Sequence, residues 1–427
     1  MMNCNTQNEK IEMLTDEWLL IGIDVGSEKH YARAFTNRKV ELSRKAFGFS
    51  NDEEGFDAFE AWTTDIMRTN GRKYIICGME PTGHYWINLA NFIKEHGMVL
   101  AHINPAHVKK SKELDDTNPN KNDRKDPKTI AGLMTEGRYV FPYMPEGIYA
   151  EIRDLNNLRL QATQSLARVK NRLARWFSIY FPEFPSLYSD INAVSAKIVL
   201  KQAPLPEDVI ALDVDGVNQL WREAKIRAVG MKKASQIVEA AKRSIGRKES
   251  LRAARIEIKE ILEDLEKYSS REDELMELIY EAVSKVPNAD KLMAIQGIGI
   301  RTVAGFIAEV GDITRFEDAK SLQKLSGMAI VSNDSGKHNG QSSISYRGRK
   351  ILRWTLVQGA VSVVAKNEEF AAIHEYYTTR PRNQLKKMQS IVAIACKLIR
   401  VFYTILTRGV SYDGQKMIKD IVRPSAA

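Results

Sequence analysis

The chain has 427 residues, of which 44% are hydrophobic and 27% charged, and this composition excludes wholesale disorder. It has no uninterrupted run of the ~18–20 apolar residues that span a membrane, and its start lacks a basic-then-apolar signal segment. Its cysteines form no CxxC pair, which suits a reducing compartment. We therefore expect a cytoplasmic protein without a membrane partner. The net charge of +9 is uneven, because residues 286–427 carry 21 basic and 11 acidic side chains and the rest carries 42 and 43. This excess predicts a polyanionic partner, most often nucleic acid; a solvated basic surface is the alternative.

The first third of the chain alternates apolar segments with helical spacing. Residues 1–16 are polar and are predicted to form a disordered tail. Buried strands are predicted at 18–25, 74–79 and 98–103, two meander strands at 31–35 and 39–43, and helices at 52–69 and 86–96. Strands that alternate with helices indicate an α/β domain, which we place at 17–145.

Four acidic residues stand at informative places in that domain. Asp24 ends the first predicted strand, and Glu80 directly follows the second. Asp123 and Asp126 lie three residues apart at a predicted helix start, which puts both carboxylates on one helical face. Carboxylates that converge repel one another unless a hard cation lies between them, and Mg²⁺ is the usual cation in phosphoryl transfer. Any one of these acids taken alone is more often a surface residue.

The middle region, 146–285, is predicted to be an elongated helical region. Its apolar positions recur at intervals of three and four residues, as in a coiled coil: Leu155, Leu158, Ala162, Leu166, Val169, Leu173 and Trp176. Arg168, Arg172 and Arg175 share another face. Two interpretations stay open. The segment is one helix of an intramolecular bundle, or it is a dimerising hairpin whose basic side contacts nucleic acid.

The last region, 286–410, is predicted to be a helical domain followed by a tail at 411–427. Gly297 and Gly299 lie in a predicted helix–hairpin–helix, where amides without a nearby Cβ can approach a phosphate; a tight helical turn is the alternative. Residues 331–348 are predicted to be a long loop. The basic residues at its end, Arg347, Arg349 and Lys350, are predicted phosphate contacts, although each would also be at home in solvent.

Several motifs give the chain a recognisable character. GIDVGSEKH (22–30), MEPTGHYW (79–86), INP (103–105) and KNDRKD (121–126) resemble the DEDD transposases of insertion sequences, above all the family numbered one hundred and ten, the bridge-RNA-guided recombinases. The resemblance implies a RuvC-like N-terminal domain of the RNase H fold, a coiled-coil region and an α-helical C-terminal transposase domain. It also implies that Asp24, Glu80, Asp123 and Asp126 are catalytic and bind Mg²⁺.

The C-terminal motifs resemble the same family. They are GIG (297–299), NDSGKHNG (333–340) and SYRGRKILRW (345–354). The family's nucleophilic serine falls at Ser335, with Ser332 as the next candidate, and the resemblance implies a covalent serine–DNA intermediate. It further implies donor and target DNA and a structured guide RNA as partners. Because strand exchange needs at least two active sites, a homodimer or homotetramer is expected.

Other classes of function explain fewer of these features. A RuvC-like junction endonuclease would use the same four acids with water as the nucleophile. A sugar-kinase-like or actin-like ATPase would need a second phosphate loop of the DxGGG type, which the sequence lacks. A non-catalytic nucleic-acid-binding protein would explain the basic C-terminal third but not four ordered carboxylates.

Overall fold

The structure, a computed structural model, describes residues 6–115, 126–331 and 343–419. Asp123 and Ser335 therefore lie outside the described residues. The chain divides into two compact units, Met1–Met144 and Pro145–Ala427. The first is mixed α/β and the second is mostly helical.

The N-terminal unit is built on a six-stranded sheet of order β3-β2-β1-β4-β5-β6. Strand β1 pairs in parallel with β4, and β4 with β5, whereas β2 and β6 run antiparallel to their neighbours. The elements are β1 (Trp18–Asp24), β2 (Lys29–Phe35), β3 (Phe47–Ser50), β4 (Tyr74–Met79), β5 (Val99–Ile103), β6 (Tyr139–Val140), α1 (Gln7–Met13), α2 (Glu53–Thr69), α3 (Trp86–Glu95), α4 (Pro105–Asp115) and α5 (Asp126–Thr135).

The two faces of this sheet carry different helices. Side chains alternate along a strand, so odd-numbered residues such as Leu19 and Ile21 pack with α2 and α3, whereas Leu20 packs with α5 on the other face. Gly22 of β1 pairs with Gly78 of β4 on the α5 face. A Cβ at Gly22 would lie 1.9 Å from the Pro127 carbonyl oxygen, so the start of α5 rests directly on the strand backbone.

The chain start differs from the sequence prediction. A disordered tail is wrong for Gln7–Met13, which forms α1 with Thr6 as its N-cap. Lys10 donates to the carbonyl of Tyr139 (2.8 Å), and Leu14 is only 4% exposed. The helix is ordered by these contacts with residues far along the chain, which local sequence does not reveal. The predicted strand at 39–43 is reduced to a single bridge between Phe35 and Glu41.

The C-terminal unit consists of helices and one short two-stranded sheet. Its elements are α6 (Gly147–Tyr180), α7 (Val194–Gln202), α8 (Pro206–Glu223), α9 (Met231–Lys242), α10 (Leu251–Ser284), α11 (Ala289–Met293), α12 (Ile300–Val310), α13 (Ala319–Leu325), β7 (Ile330–Val331), β8 (Ser343–Ile344), α14 (Lys350–Lys366), α15 (Glu368–Thr379), α16 (Lys387–Arg408) and α17 (Gly414–Ile418).

Helices α6 and α10 form a long antiparallel pair. The apolar seam of α6 from Ala162 to Trp176 is buried with Ile258, Leu262 and Leu265 of α10. The predicted seam fails at Leu158, which is 42% exposed, because Arg159 takes the buried position there. The seam is thus covered within the chain, as the intramolecular interpretation predicts.

This helix pair joins two cores. One end packs with α7, α8 and α9 around Trp176 and Trp221. At the other end, Ile152 of α6 and Ile279 of α10 belong to the core formed by α11–α16. The predicted boundary between 285 and 286 therefore does not separate compact units. The predicted tail at 411–427 also contains α17, beside Tyr412, whose ring stacks on Phe370 with centroids 6.0 Å apart.

Helix α16 is long and apolar enough to pass a length-and-composition test for a membrane span. Half of that apolar stretch is buried inside the unit, with Ile394, Leu398 and Phe402 in the core, and it carries Lys397 and Arg400. A core helix of a globular unit has the same properties.

Candidate catalytic carboxylates and nucleic-acid interface

Asp24 and Glu80 lie at the same edge of the sheet. Strands β1 and β4 are parallel, and Ile23 pairs with Met79, so the residues that follow stand side by side at the carboxyl ends. Neighbouring strands are ~4.8 Å apart. Because Asp24 and Glu80 each lie two residues beyond Gly22 and Gly78, strand alternation directs both toward the α5 face.

Asp126 lies on the helix that covers this face of the sheet, but Asp24, Glu80 and Asp126 are not grouped closely enough in the structure to hold a metal ion together. It is the first residue of α5, next to Pro127, whose backbone rests on Gly22, two residues before Asp24. Its side chain is 20% exposed and forms an ion pair with Lys112 of α4. The close approach at Gly22 therefore places the first turn of α5, and with it Asp126, over the strand that ends in Asp24.

The donor chemistry of this edge fits a hard divalent cation. Carboxylate oxygens are the ligands that Mg²⁺ prefers. In the structure the Asp126 carboxylate is paired with the Lys112 ammonium, which a bound metal ion would have to displace. Glu80 accepts a hydrogen bond from the Thr82 hydroxyl (2.8 Å), which orients that carboxylate. Within 6–115, 126–331 and 343–419, no three His, Cys, Asp or Glu residues are grouped closely enough to hold a metal ion. Asp123, the remaining predicted ligand, lies outside these ranges.

His102 stands at the same end of the sheet but on the opposite face. It pairs with Met79 across β4 and β5, and its ring meets Trp86 edge-on with centroids 4.6 Å apart. Burial lowers the pKa of His102 to about 4, so the imidazole is neutral near pH 7. Strand alternation thus separates His102 from the face that carries the acids.

The segment predicted as a long loop has an ordered stem. Strands β7 and β8 pair antiparallel, and the amide of Tyr346 donates to the Gly327 carbonyl (3.0 Å) below them. A Cβ at Gly348 would lie 2.4 Å from the Gly327 nitrogen, so the glycine of the SYRGRK motif allows the two chain segments to cross. The pairing of Val331 with Ser343 brings these two flanking residues together. Ser335 lies between them in sequence, outside the described residues.

The two glycines of the predicted helix–hairpin–helix have different environments. Gly297 has φ +94°, and a Cβ there would lie 2.8 Å from the Val363 Cα of α14. Gly299 is exposed at the N-cap of α12, with no atom within 4 Å of the Cβ position. Gly297 therefore serves helix packing, whereas Gly299 leaves open space in front of the α12 N-terminus.

The three basic residues of the SYRGRK motif also have different surroundings. Arg347 and Lys350 are exposed. Arg349 instead donates to the Glu309 carbonyl (2.8 Å) and lies 3.5 Å from its carboxylate, which ties α14 to α12. Arg349 thus binds Glu309 within the unit. Arg347 and Lys350 are the two of the three residues whose exposure fits the predicted role of phosphate contacts.

The glycine hairpin and the basic motif lie at opposite ends of α14. Helices α12 and α14 run antiparallel, since Gly297 meets Val363 at one end and Glu309 meets Arg349 at the other. At ~1.5 Å per residue, about 20 Å of helix separates these contacts. The fold thus places the two predicted phosphate-binding motifs apart.

The arginines of α6 face acidic residues of α10. Arg172 pairs with Asp264 (2.7 Å), and Arg175 lies 3.5 Å from Glu257. Arg168 is exposed. Contact of this face with nucleic acid was one of the two interpretations of the sequence, and it stays a prediction. In the structure, two of its three arginines have carboxylate partners within the same helix pair.

Comparison with known proteins gives matches over most of the chain. The transposase family model named DEDD_Tnp_IS110 matches residues 21–182, and the model of the transposase IS116/IS110/IS902 family matches residues 289–376. The first match contains Asp24, Glu80 and Asp126, and the second contains Gly297 and Gly299, the segment with Ser335, and α14.

Individual relatives carry related names. The insertion element IS116 uncharacterized 44.8 kDa protein of Streptomyces clavuligerus is 22% identical over 90% of this chain and 94% of its own length. The pilin gene-inverting protein of Moraxella bovis is 24% identical over 52% of this chain and 72% of its own. The transposase for insertion sequence element IS1111A of Coxiella burnetii is 23% identical over 73% of this chain and 72% of its own.

The family models fall on the two regions that carry the candidate chemistry, and the relatives are proteins of insertion elements and DNA inversion. The chain therefore belongs to the IS110/IS116 family of transposases, enzymes of DNA transposition and recombination.

Proposed function

We propose that this transposase is a Mg²⁺-dependent site-specific recombinase that cuts and rejoins DNA through a covalent serine–DNA intermediate. Asp24, Glu80, Asp123 and Asp126 would hold the metal, and Ser335 would be the nucleophile. The observation that carries the proposal is the placement of Asp24, Glu80 and the start of α5 at one edge and on one face of the sheet.

The topology of the N-terminal unit supports an RNase H-like, RuvC-like assignment. Strands β3-β2-β1-β4-β5 lie in this order, and among these five only β2 runs against the others. Asp24 is the last residue of β1, and Glu80 directly follows β4. These are two of the acids that the resemblance to RuvC-like transposases implies for catalysis.

The chemistry assigns distinct tasks to the residues. Asp24, Glu80, Asp123 and Asp126 would hold Mg²⁺, which would supply polarisation of the scissile phosphate and offset the charge that develops on it. Attack by Ser335 forms a bond from its Oγ to phosphorus and breaks the bond from phosphorus to one bridging DNA oxygen. The serine proton passes to a base, and the departing oxygen takes up a proton. Reversal by the hydroxyl of another strand restores the serine, so rejoining needs no ATP.

The pairing of β7 with β8 supports a nucleophile in the segment that lies between these strands in sequence. The close approach of Gly348 to Gly327 and the β7–β8 pairs fix the described residues on either side of that segment. A serine hydroxyl is a weak nucleophile at neutral pH and needs activation. We propose that the metal-binding acids provide it, in the same chain or in a second protomer of a homodimer or homotetramer.

The basic C-terminal region supports nucleic-acid partners. Arg347 and Lys350 are exposed, and Gly299 leaves the α12 N-terminus open to a phosphate. If a structured guide RNA selects donor and target DNA, base pairing supplies the sequence information and the protein contacts the backbone. Arg347, Lys350 and the α12 N-terminus would each bind a phosphate and not a base edge, which is consistent with that division.

A water-using endonuclease is the second candidate. Asp24, Glu80 and Asp126 all belong to the N-terminal unit. Hydrolysis at these acids would therefore require no residue of the segment that contains Ser335. The two functions differ in whether protein becomes attached to DNA.

The decisive experiment incubates the protein with Mg²⁺ and DNA that carries the ends of the element, followed by denaturing electrophoresis. We expect a covalent adduct that disappears in Ser335→Ala and persists in Ser343→Ala, a neighbouring exposed serine on the stem. An adduct that persists in Ser335→Ala would move the nucleophile, with Ser332 next. Cleavage without any adduct would favour the endonuclease.

A second variant tests the metal site separately. Asp24→Asn keeps the shape of the side chain and removes its charge, so strand cleavage should fall by orders of magnitude while circular dichroism stays unchanged. Asp57→Asn, at an exposed position of α2, is the matched control and should remain active. Near-normal recombination by folded Asp24→Asn protein would rule out the carboxylate site.

A further inference from the structure

The loop between α15 and α16, residues 380–387, carries four basic side chains: Arg380, Arg382, Lys386 and Lys387. No Asp or Glu occurs in the sequence between Glu375 and Asp413, so local residues do not balance this charge. Arg382 and the two lysines are exposed. Among the described residues, none of the four side chains forms an ion pair with a carboxylate. The 380–387 loop is therefore a concentrated and uncompensated basic surface.

Hydrogen bonds give this loop a fixed backbone. The amide of Leu385 donates to the Tyr377 carbonyl (2.9 Å), which closes the loop against the end of α15. The Nε of Arg380 donates to the Asn383 carbonyl (2.8 Å) inside it. A partner that binds the basic side chains would not have to order the backbone that presents them, so less conformational entropy is lost on binding.

Two of the basic residues lie where a cation is unfavourable. Lys386 is the N-cap of α16, and Lys387 is its first residue. The N-terminus of a helix carries partial positive charge, so acidic and small polar residues are preferred there. Helix α15 follows this rule, with Asn367 as its N-cap and Glu368 in its first turn. At the start of α16 the lysines repel the helix dipole and each other, and an anion beside them would remove that repulsion.

The class of anionic partner follows from the family and from the charge pattern. A symmetric contact between two copies through this loop would set cations against cations, which disfavours an interface. The family acts in DNA transposition and recombination, so DNA is the polyanion that this chain must hold. A duplex presents one phosphate charge per ~1.7 Å of its axis, which suits several cations on one short loop.

The aromatic residues beside the loop favour a duplex over an unpaired strand. Sites for single strands offer aromatic rings on which bases stack. Here the Arg380 guanidinium lies over the rings of Tyr376 and Tyr377, 5.9 and 5.2 Å from their centroids. The cation already occupies the position over these rings that a base would need.

We propose that the 380–387 loop is an anchor that binds the phosphates of duplex DNA irrespective of base sequence. Lysine and arginine contacts to phosphates fix the position of a duplex but do not read its bases. The anchor goes beyond the proposed cleavage, because it requires neither the metal-binding acids nor Ser335. Binding through this loop can therefore be measured without Mg²⁺.

The test is fluorescence anisotropy of the full-length protein with a fluorescein-labelled DNA duplex over a range of salt concentrations, without Mg²⁺. The triple variant Arg382→Ala, Lys386→Ala and Lys387→Ala should reduce the log–log salt slope by about 0.9 per lost contact. At physiological salt this corresponds to roughly hundredfold weaker binding. The loss should be equal for a duplex of the element's ends and for a duplex of unrelated sequence.

A matched control removes the same charges elsewhere. Arg252→Ala, Lys259→Ala and Lys267→Ala together remove one arginine and two lysines from exposed positions of α10 and should leave the salt slope unchanged. Circular dichroism should show that both triple variants are folded. Arg382→Ala alone, outside both helices, should reduce the slope by about 0.9 and tests the loop without a change at the start of α16.

Other results would overturn the proposal. A slope that is unchanged in both loop variants would mean that the loop is only solvated, and loss of a dimer in sedimentation with that slope would assign it to a protein contact. A loss confined to an RNA hairpin would assign it to RNA, and a loss confined to the element's ends would contradict sequence-independent binding. Failure of the proposed function is distinguishable, because Asp24→Asn should bind duplex DNA as the wild type does, whether or not it cleaves.

Discussion

Helices α6 and α14 both carry basic residues that the sequence predicts to contact nucleic acid, but their surroundings differ. On α6, Arg172 and Arg175 meet Asp264 and Glu257 of the neighbouring α10. Among the described residues, the ion pair of this kind at the start of α14 is that of Arg349 with Glu309, and Arg347 and Lys350 are exposed. A basic helical face is available to a polyanion only when its packing partner does not neutralise it. The partner helix is set by tertiary structure.

The largest expected effect in this comparison comes from removing both exposed basic residues near α14. Arg347→Ala combined with Lys350→Ala should reduce the log–log salt slope for duplex DNA by about 0.9 per lost contact. At physiological salt this corresponds to roughly fivefold weaker binding for each residue. The free energy of unfolding should not change, since both side chains are exposed. An unchanged slope would mean that this end of α14 is merely solvated.

A smaller effect, on stability and not on binding, is expected for Arg349→Ala. The Glu309 side chain is 11% exposed, and removal of its partner leaves a nearly buried carboxylate without its ion pair. The free energy of unfolding, measured with urea, should fall by about 1–3 kcal/mol, with an unchanged salt slope. Arg349→Lys should lose less because it keeps the charge. A reduced log–log salt slope of DNA binding without loss of stability would show that Arg349 contacts a phosphate.

The smallest effect is expected on the coiled-coil pair. The Arg172 and Asp264 side chains are 42% and 35% exposed, so solvent screens their ion pair. Arg172→Ala should lower the free energy of unfolding by at most about 1 kcal/mol and leave DNA affinity unchanged. Arg168→Ala, on the exposed face of the same helix, is the control and should change neither quantity. A reduced salt slope in Arg172→Ala would show that DNA displaces Asp264 from Arg172. The basic faces of α6 and α14 would then both bind DNA.

The N-terminal unit was largely predictable from local pattern. The predicted strand at 74–79 coincides with β4, and those at 18–25 and 98–103 differ from β1 and β5 by one residue. Central strands of a parallel sheet are buried on both faces, so they appear as continuous apolar runs. Asp24 and Glu80 were found because they stand at the ends of such runs. Strand β3 was missed, since Phe47–Ser50 is short and lies at the sheet edge.

The sequence by itself determined the order of elements, the two strand ends that carry Asp24 and Glu80, and the apolar seam of α6, because these depend on local spacing and burial. Only the tertiary structure decided that Gly22 lets α5 approach β1, that Arg349 binds Glu309, and that the glycine hairpin lies about 20 Å from the basic motif. The physical reason is that these features depend on contacts between residues distant in the chain. The pattern of a sequence shows which side chains are apolar or charged. Which residues they contact is determined by the packing of the fold.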